Sequence, residues 1–256
     1  MLFFHYTQAG KTHIKLENRD FHSLIRVRRK KRDDTILFAN ITENQSNSKV
    51  NYYKYKISHI SKKYADLELL SSREENKFTG KLDLFWGICE LKTITSTLPI
   101  LNQIGVEKIT FVQCQRSQGN VKFTNKILEK FNTILQSSCQ QCGRNSLMQI
   151  DEINFDQYLE YINTNTTINH TQNHYICNFQ ENIFSNNEIR EFKNSKNNKD
   201  NNFYSFFIGP EGGFSQDEVD KLTQAEEKKY ANIRKFNTPL VLKSESACIT
   251  VAGFFI

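Results

Sequence analysis

The chain has 256 residues, 38% of them hydrophobic and 12% aromatic, with 3 prolines and 10 glycines, a profile that excludes a disordered or fibrous polymer and suits one large or two ordinary domains. Its formal net charge of +6 is concentrated in the N-terminal part, which points to a polyanionic partner. No apolar run reaches bilayer length, and the opening MLFFHYTQAGK lacks a basic lead, a long apolar centre and a cleavage site, so a cytoplasmic chain without membrane contact is expected.

In chain order, His13–Leu16, Thr35–Phe38 and Asn51–Ile57 alternate with period two between Gly, Asn and Asp, and predict a small β-domain, a barrel, over residues 1–68. Asp20–Val27 reads as a short helix. From Leu69 the texture changes to strands alternating with helical segments: strand Leu82–Gly87, helix Ile94–Ile104 ending at Gly105, strand Lys108–Val112, helix Lys122–Cys142 closed by Gly143, and strands His174–Phe179 and Phe203–Ile208. That succession predicts an α/β domain with a mostly parallel sheet over residues 69–256. Residues 163–173 and 191–202, rich in Asn, Thr, Lys and Asp, read as exposed loops. The six cysteines read as buried small hydrophobes, because Cys139-x-x-Cys142 lacks the second ligand pair that a structural zinc site needs, so no metal is expected.

The chemistry concentrates in two turns. After the strand Phe203–Ile208 comes Gly209-Pro210-Glu211-Gly212-Gly213, and then Ser215-x-x-Glu218, the spacing of a capping box that starts a helix. Glycines there expose backbone amides to a ligand, while the turn lacks both the lysine of a P-loop and the spacing of a dinucleotide fingerprint. Near the C-terminus Leu240-Val241-Leu242 reads as a strand followed by Lys243-Ser244-Glu245-Ser246-Ala247 and an apolar last helix. Two such turns side by side at the carboxyl edge of a sheet form one ligand site.

GPEGGFS at 209–215, LKSESA at 242–247 and CQQCGR at 139–144 together resemble the bacterial 16S ribosomal RNA uridine-N3 methyltransferase family (RsmE), with a VRR-like element near residue 27 and ICELK…IGVEKI at 88–109 extending the likeness over the chain. The resemblance implies a SPOUT-type domain whose C-terminal trefoil knot holds S-adenosylmethionine, an N-terminal PUA-like barrel that helps hold RNA, and a homodimer. The sequence departs from the family pattern at Lys243 (usually Arg), Ser246 (Thr), Thr238 (Gly) and Gln140 (Glu).

Transfer of a methyl from sulfur to uracil N3 requires in-line alignment, worth roughly 7–11 kcal/mol, and removal of the N3 proton. The resemblance places Ile208, Gly209, Pro210, Glu211, Gly212, Gly213, Leu240, Leu242, Lys243, Ser244, Glu245, Ser246 and Ala247 around the donor. Glu211 and Glu245 are candidates for proton handling, and Lys243, Arg116 and Arg144 for RNA or uracil oxygens. The run Arg26-Val27-Arg28-Arg29-Lys30-Lys31-Arg32, with Tyr52, Tyr53 and Tyr55 as stacking surfaces, is the candidate RNA-binding face. Competing readings are a knotted methyltransferase of the ribose 2′-hydroxyl, a non-catalytic RNA-binding protein, and a nucleotide-binding protein that uses the Gly-rich turn for phosphate.

Overall fold

The computed structural model describes residues 3–41, 48–119, 121–165, 173–178, 182–194 and 203–256. The chain divides into two compact units, Met1–Phe78 with Gln136–Leu147, and Thr79–Leu135 with Met148–Ile256.

In the first unit five strands, β1 (Phe4–His5), β2 (His13–Glu17), β3 (Thr35–Ala39), β4 (Lys49–Ile60) and β5 (Tyr64–Asn76), form a curled mixed sheet in the order β1-β3-β4-β5-β2. Only β1 and β3 run parallel. Alternation delivers Ile14, Leu16, Ile36, Phe38, Tyr55, Ile57, Ala65 and Leu67 to one core, as period two requires. The short helix α1 (Asn18–Phe21) continues as a π-helical stretch, His22–Val27, whose wider turn is closed by the Arg28 amide donating to the Ser23 carbonyl at 3.2 Å.

Two expectations need correction here. The boundary after residue 68 falls inside β5, which pairs with β4 as far as Asn76; its last six residues are polar and exposed, so they carry no core-facing alternation. Tyr52 and Tyr55 are not stacking surfaces. Tyr55 is fully buried, donating to the Lys11 carbonyl at 2.6 Å and accepting from the Gly10 amide at 3.0 Å, and Tyr53 packs on the same core. Tyr52, on the other face of β4, is buried with Val50, Phe3 and Cys139. A strand covered on both faces hides tyrosines that a one-sided strand would expose.

The second unit is built on six parallel strands, β6 (Leu82–Gly87), β7 (Lys108–Gln113), β8 (Gln149–Asn154), β9 (Asn173–Cys177), β10 (Tyr204–Ile208) and β11 (Asn232–Arg234), in the order β11-β9-β10-β6-β7-β8. The connecting helices are α2 (Leu91–Ile104), α3 (Asn125–Cys142), α4 (Phe155–Asn165), α5 (Asn186–Asn194), α6 (Gln216–Glu227) and α7 (Ser244–Gly253). Gly105 and Gly143 end α2 and α3 with φ of 104° and 87°, a conformation that glycine takes without a Cβ penalty. On one face of the sheet Phe85, Val112, Ile176 and Phe207 pack with residues of α4 and α6; on the other Tyr175 and Phe206 stack at 18° among Phe184, Phe192 and Phe255.

Parts of the two expected loops are helical, α4 reaching Asn165 and α5 running to Asn194, while residues 166–172 and 195–202 lie outside the described residues, as does Phe179, the expected end of β9. Leu240–Leu242 is not a strand. Leu240 and Val241 are 71% and 76% exposed and pair with no ladder; three adjacent β-forming residues are too few to separate a strand from an apolar loop. β8 and β11 were not foreseen, the first because its two isoleucines stand three residues apart and break the period-two pattern, the second because it has three residues. Among the described residues no helix is long and apolar enough to cross a membrane.

Candidate functional site

The site lies at the carboxyl edge of the parallel sheet, where β10 and β6 run side by side with Ile208 opposite Trp86. Ile208 and Pro210 are buried, Glu211 and Gly212 exposed. The Gly213 amide donates to the Pro210 carbonyl at 2.8 Å, closing the turn, and Gly213 has a φ of 66°. The helix that follows starts as the spacing predicted: Ser215 Oγ accepts from the Glu218 amide and Glu218 Oε2 accepts from the Ser215 amide at 2.8 Å.

Glu218 does more than cap. It is 4% exposed, and its other oxygen accepts from the Gln115 amide at 2.7 Å, tying the loop after β7 to the turn after β10. That loop is further held by Ser117 Oγ, which accepts from the Cys114 amide at 2.9 Å, and by the Gln118 amide donating to the Ile88 carbonyl at 3.3 Å. Arg116, exposed, donates from Nη1 to the Gly212 carbonyl at 3.2 Å. The predicted RNA contact is thus seated on the turn itself.

The second segment reaches the same place without a strand to deliver it. Ser244, 6% exposed at the start of α7, donates from Oγ to the Gly209 carbonyl at 2.6 Å and accepts from Trp86 Nε1 at 2.7 Å. Lys243 precedes the helix in extended conformation, and no side chain caps α7, so its first backbone N–H groups point out of the helix end. Such an end is suited to an electronegative ligand group. Glu245 and Ser246 are half-buried, Ala247 is buried, Lys243 is exposed, Leu242 is half-buried, and Leu240 stands out in solvent.

Both candidate carboxylates act on one neighbour. The Cys89 thiol, buried in the loop after β6, is pushed up to about 12, first by burial and then by the charges of Glu211 and Glu245. The two turns, the loop after β6 and the loop after β7 therefore converge.

β6 and the turn after β10 approach closely. A Cβ on Gly87 would lie 2.4 Å from Pro210 N and 2.5 Å from Pro210 Cδ, so only glycine lets the turn pass there. Trp86, Gly87 and Glu218 were absent from the sequence-derived site. A glycine at the carboxyl end of a buried strand was a readable signal; the partner of Trp86, 158 residues away, was not.

Arg144 is a correction. It is 6% exposed, its Nε donates to the Ser146 carbonyl at 3.0 Å, and its guanidinium lies 4.8 Å over the Phe78 ring. Beside it Asn145 accepts from the Phe78 amide at 2.6 Å and donates to the Asn76 carbonyl at 3.0 Å. CQQCGR and the two residues after it thus clamp the end of β5, and burial withdraws Arg144 from solvent. The basic run is exposed at Arg26, Arg28 and Arg29 and half-buried at Lys30. Arg28 lies 4.6 Å over the Phe4 ring and bonds Ser23, Arg26 Nη2 donates to the Lys62 carbonyl at 3.2 Å, and Lys30 Nζ reaches the Thr35 carbonyl at 3.5 Å.

Residues 74–255 match the family model described as an RNA methyltransferase domain. The chain belongs to that RNA methyltransferase family. It is 30% identical over 255 residues to Ribosomal RNA small subunit methyltransferase E of Helicobacter pylori strain ATCC 700392 / 26695, covering 99% of this chain and 98% of that one, and 30% identical over 254 residues to its counterpart in strain J99. A crystal structure of a Ribosomal RNA small subunit methyltransferase E from Neisseria gonorrhoeae bound to S-adenosyl methionine superposes with a TM-score of 0.71 at 18% identity, covering 99% of this chain and 95% of that one. A Legionella pneumophila methyltransferase structure with bound SAM gives the same TM-score and identity, covering 98% and 95%. At that identity the two structures establish a shared fold.

Proposed function

We propose that this chain methylates N3 of a uridine in the 16S RNA of the small ribosomal subunit, with S-adenosylmethionine as donor and in the cytoplasm. The observation that carries the reading is the bond from Ser244 Oγ to the Gly209 carbonyl, which unites the two motifs in one site beside an uncapped helix start. The site fits the donor by its chemistry: glycine backbone at Gly209, Gly212 and Gly213 for close approach, and the first N–H groups of α7 for hydrogen bonding. Bound there, S-adenosylmethionine supplies an electrophilic methyl group on sulfur.

The chain's residues do the rest. Ile208 to Gly213 and Leu242 to Ala247 hold the donor. Glu211 and Glu245 stand where the proton leaving N3 is taken up. Lys243 and Arg116 stabilise the uracil oxygens as negative charge grows on the ring. Arg26, Arg28, Arg29 and Lys30 hold RNA phosphates on the first unit. The family resemblance further implies a trefoil knot and a homodimer through the methyltransferase domain. The knot is supported by the path of the chain, which leaves central β10, pairs at the sheet edge as β11, and returns to Gly209 with Ser244. The dimer is supported by the bare side chains of Leu240 and Val241, and light scattering tests it.

The deciding experiment incubates purified protein and labelled donor with small subunits lacking the modification, then identifies the nucleoside by mass spectrometry. Labelled 3-methyluridine is expected. A labelled 2′-O-methyl nucleoside, or no transfer with no heat of donor binding, refutes the reading.

A further inference from the structure

Trp86 is the single tryptophan of the chain, is fully buried, and stands at the carboxyl end of β6 between Ile208 of β10 and Phe111 of β7. The Phe111 ring, 5.7 Å away, covers part of the indole, and the indole N–H donates to Ser244 Oγ at 2.7 Å, its one acceptor among the described residues. An indole nitrogen is a donor and never an acceptor, so the direction of the chain of bonds is determined: Trp86 donates to Ser244, and the Ser244 hydroxyl proton goes on to the Gly209 carbonyl at 2.6 Å.

The N-cap position of α7 is Lys243, which makes no side-chain cap bond, and Ser244 is the first residue of the helix proper. At Ser244 the oxygen is engaged by the indole on one side and the Gly209 carbonyl on the other, and α7 is left without a side-chain cap. Three segments far apart in sequence, the end of β6, the turn after β10 and the start of α7, are thereby indexed to one another by two short bonds. Gly87, next to Trp86, lies against Pro210 and seats the same peptide from beneath.

We propose that Trp86 and Ser244 are a positioning pair for the methyl donor: the indole holds the Ser244 hydroxyl on the Gly209 carbonyl, so that the amides of the glycine turn and of α7 face one ligand in fixed relation. This rests on the donor reading above and adds to it a residue that touches no ligand. It also makes Trp86 an intrinsic reporter, because its N–H partner belongs to the donor site.

The test uses the full chain with Trp86→Phe, Ser244→Ala and the double variant, at a temperature where each is folded by circular dichroism. Calorimetry with S-adenosylmethionine and steady-state kinetics should show Trp86→Phe weakening donor Kd and raising donor KM about five- to tenfold with kcat at saturating donor retained, and Ser244→Ala weakening donor Kd at least as much. The double variant should be no weaker than the worse single one, because both remove the same unit. A purely structural pair would lower the unfolding midpoint and leave Kd within twofold, and that result overturns the proposal, as does multiplication of the two single effects. A second measurement needs no variant: saturating donor should change the tryptophan emission of the wild-type chain with the calorimetric Kd, and emission unmoved by saturation overturns the reporter role. Absence of any binding heat in the wild-type chain fails the donor reading and the pair with it, whereas wild-type binding with unaffected variants fails the pair alone.

Discussion

Gly87→Ala tests the convergence of the two strand ends with one methyl group. The added Cβ would meet Pro210 N at 2.4 Å, Pro210 Cδ at 2.5 Å and Gly209 C at 2.9 Å, all parts of the turn's backbone or its rigid ring. No flexible side chain is there to swing away, so the turn must retreat by about 1 Å to reach ordinary contact. Gly87 is not among the residues with positive φ, so the effect is purely one of space. Overpacking of this kind costs about 1–3 kcal/mol of stability. A displacement of about 1 Å at a site can cost about a hundredfold in function. Guanidinium unfolding and donor calorimetry measure the two, and about 2 kcal/mol of lost stability with donor Kd raised about ten- to a hundredfold is expected. Gly253→Ala is the control, since a Cβ there meets nothing within 4 Å at the end of α7; gain of helix propensity should leave it neutral or stabilised by up to about 1 kcal/mol. Donor binding in Gly87→Ala equal to wild type would refute the geometry of the site.

Three further outcomes follow from the same structure. Burial pushes the Asp83 carboxyl up to about 6, with Lys108 opposing and Glu107 adding to the rise. A folded-state value above the unfolded one means that stability falls as pH rises from about 4 to about 6 and levels off above; about two pH units correspond to about 3 kcal/mol at most, so Asp83→Asn should be more stable than wild type in urea at pH 8 and equal to it near pH 4. Glu218→Gln keeps one acceptor and turns an NH2 toward a backbone N–H, and should cost about 1–3 kcal/mol by guanidinium unfolding while loosening the loop around Gln115 in hydrogen exchange. Arg28→Glu with Arg29→Glu should weaken small-subunit RNA binding and reduce the slope of log affinity against log salt by about 2, leaving donor Kd unchanged; an unaltered salt slope would remove the basic run from the RNA face.

Local signals settled most of the elements. Period two marked β2, β3 and β4, Gly105 and Gly143 marked the ends of α2 and α3, and Ser215 with Glu218 announced the start of α6 three residues apart, because each depends on neighbours along the chain. The glycine turn and the LKSESA segment could be nominated together for the same reason, and the structure joins them through Ser244 and Gly209, although Leu240–Leu242 looked like a strand and is a loop. The tertiary structure alone decided which of their residues act together. Tyr52 and Tyr55 became core when both faces of β4 were covered, and Arg144 became a buried clamp on Phe78. Trp86 met Ser244, and Gly87 met Pro210, across more than a hundred residues of chain. Such contacts arise when distant strand ends are brought into register, and a pattern read along one segment carries no record of the partner that a parallel sheet will set beside it.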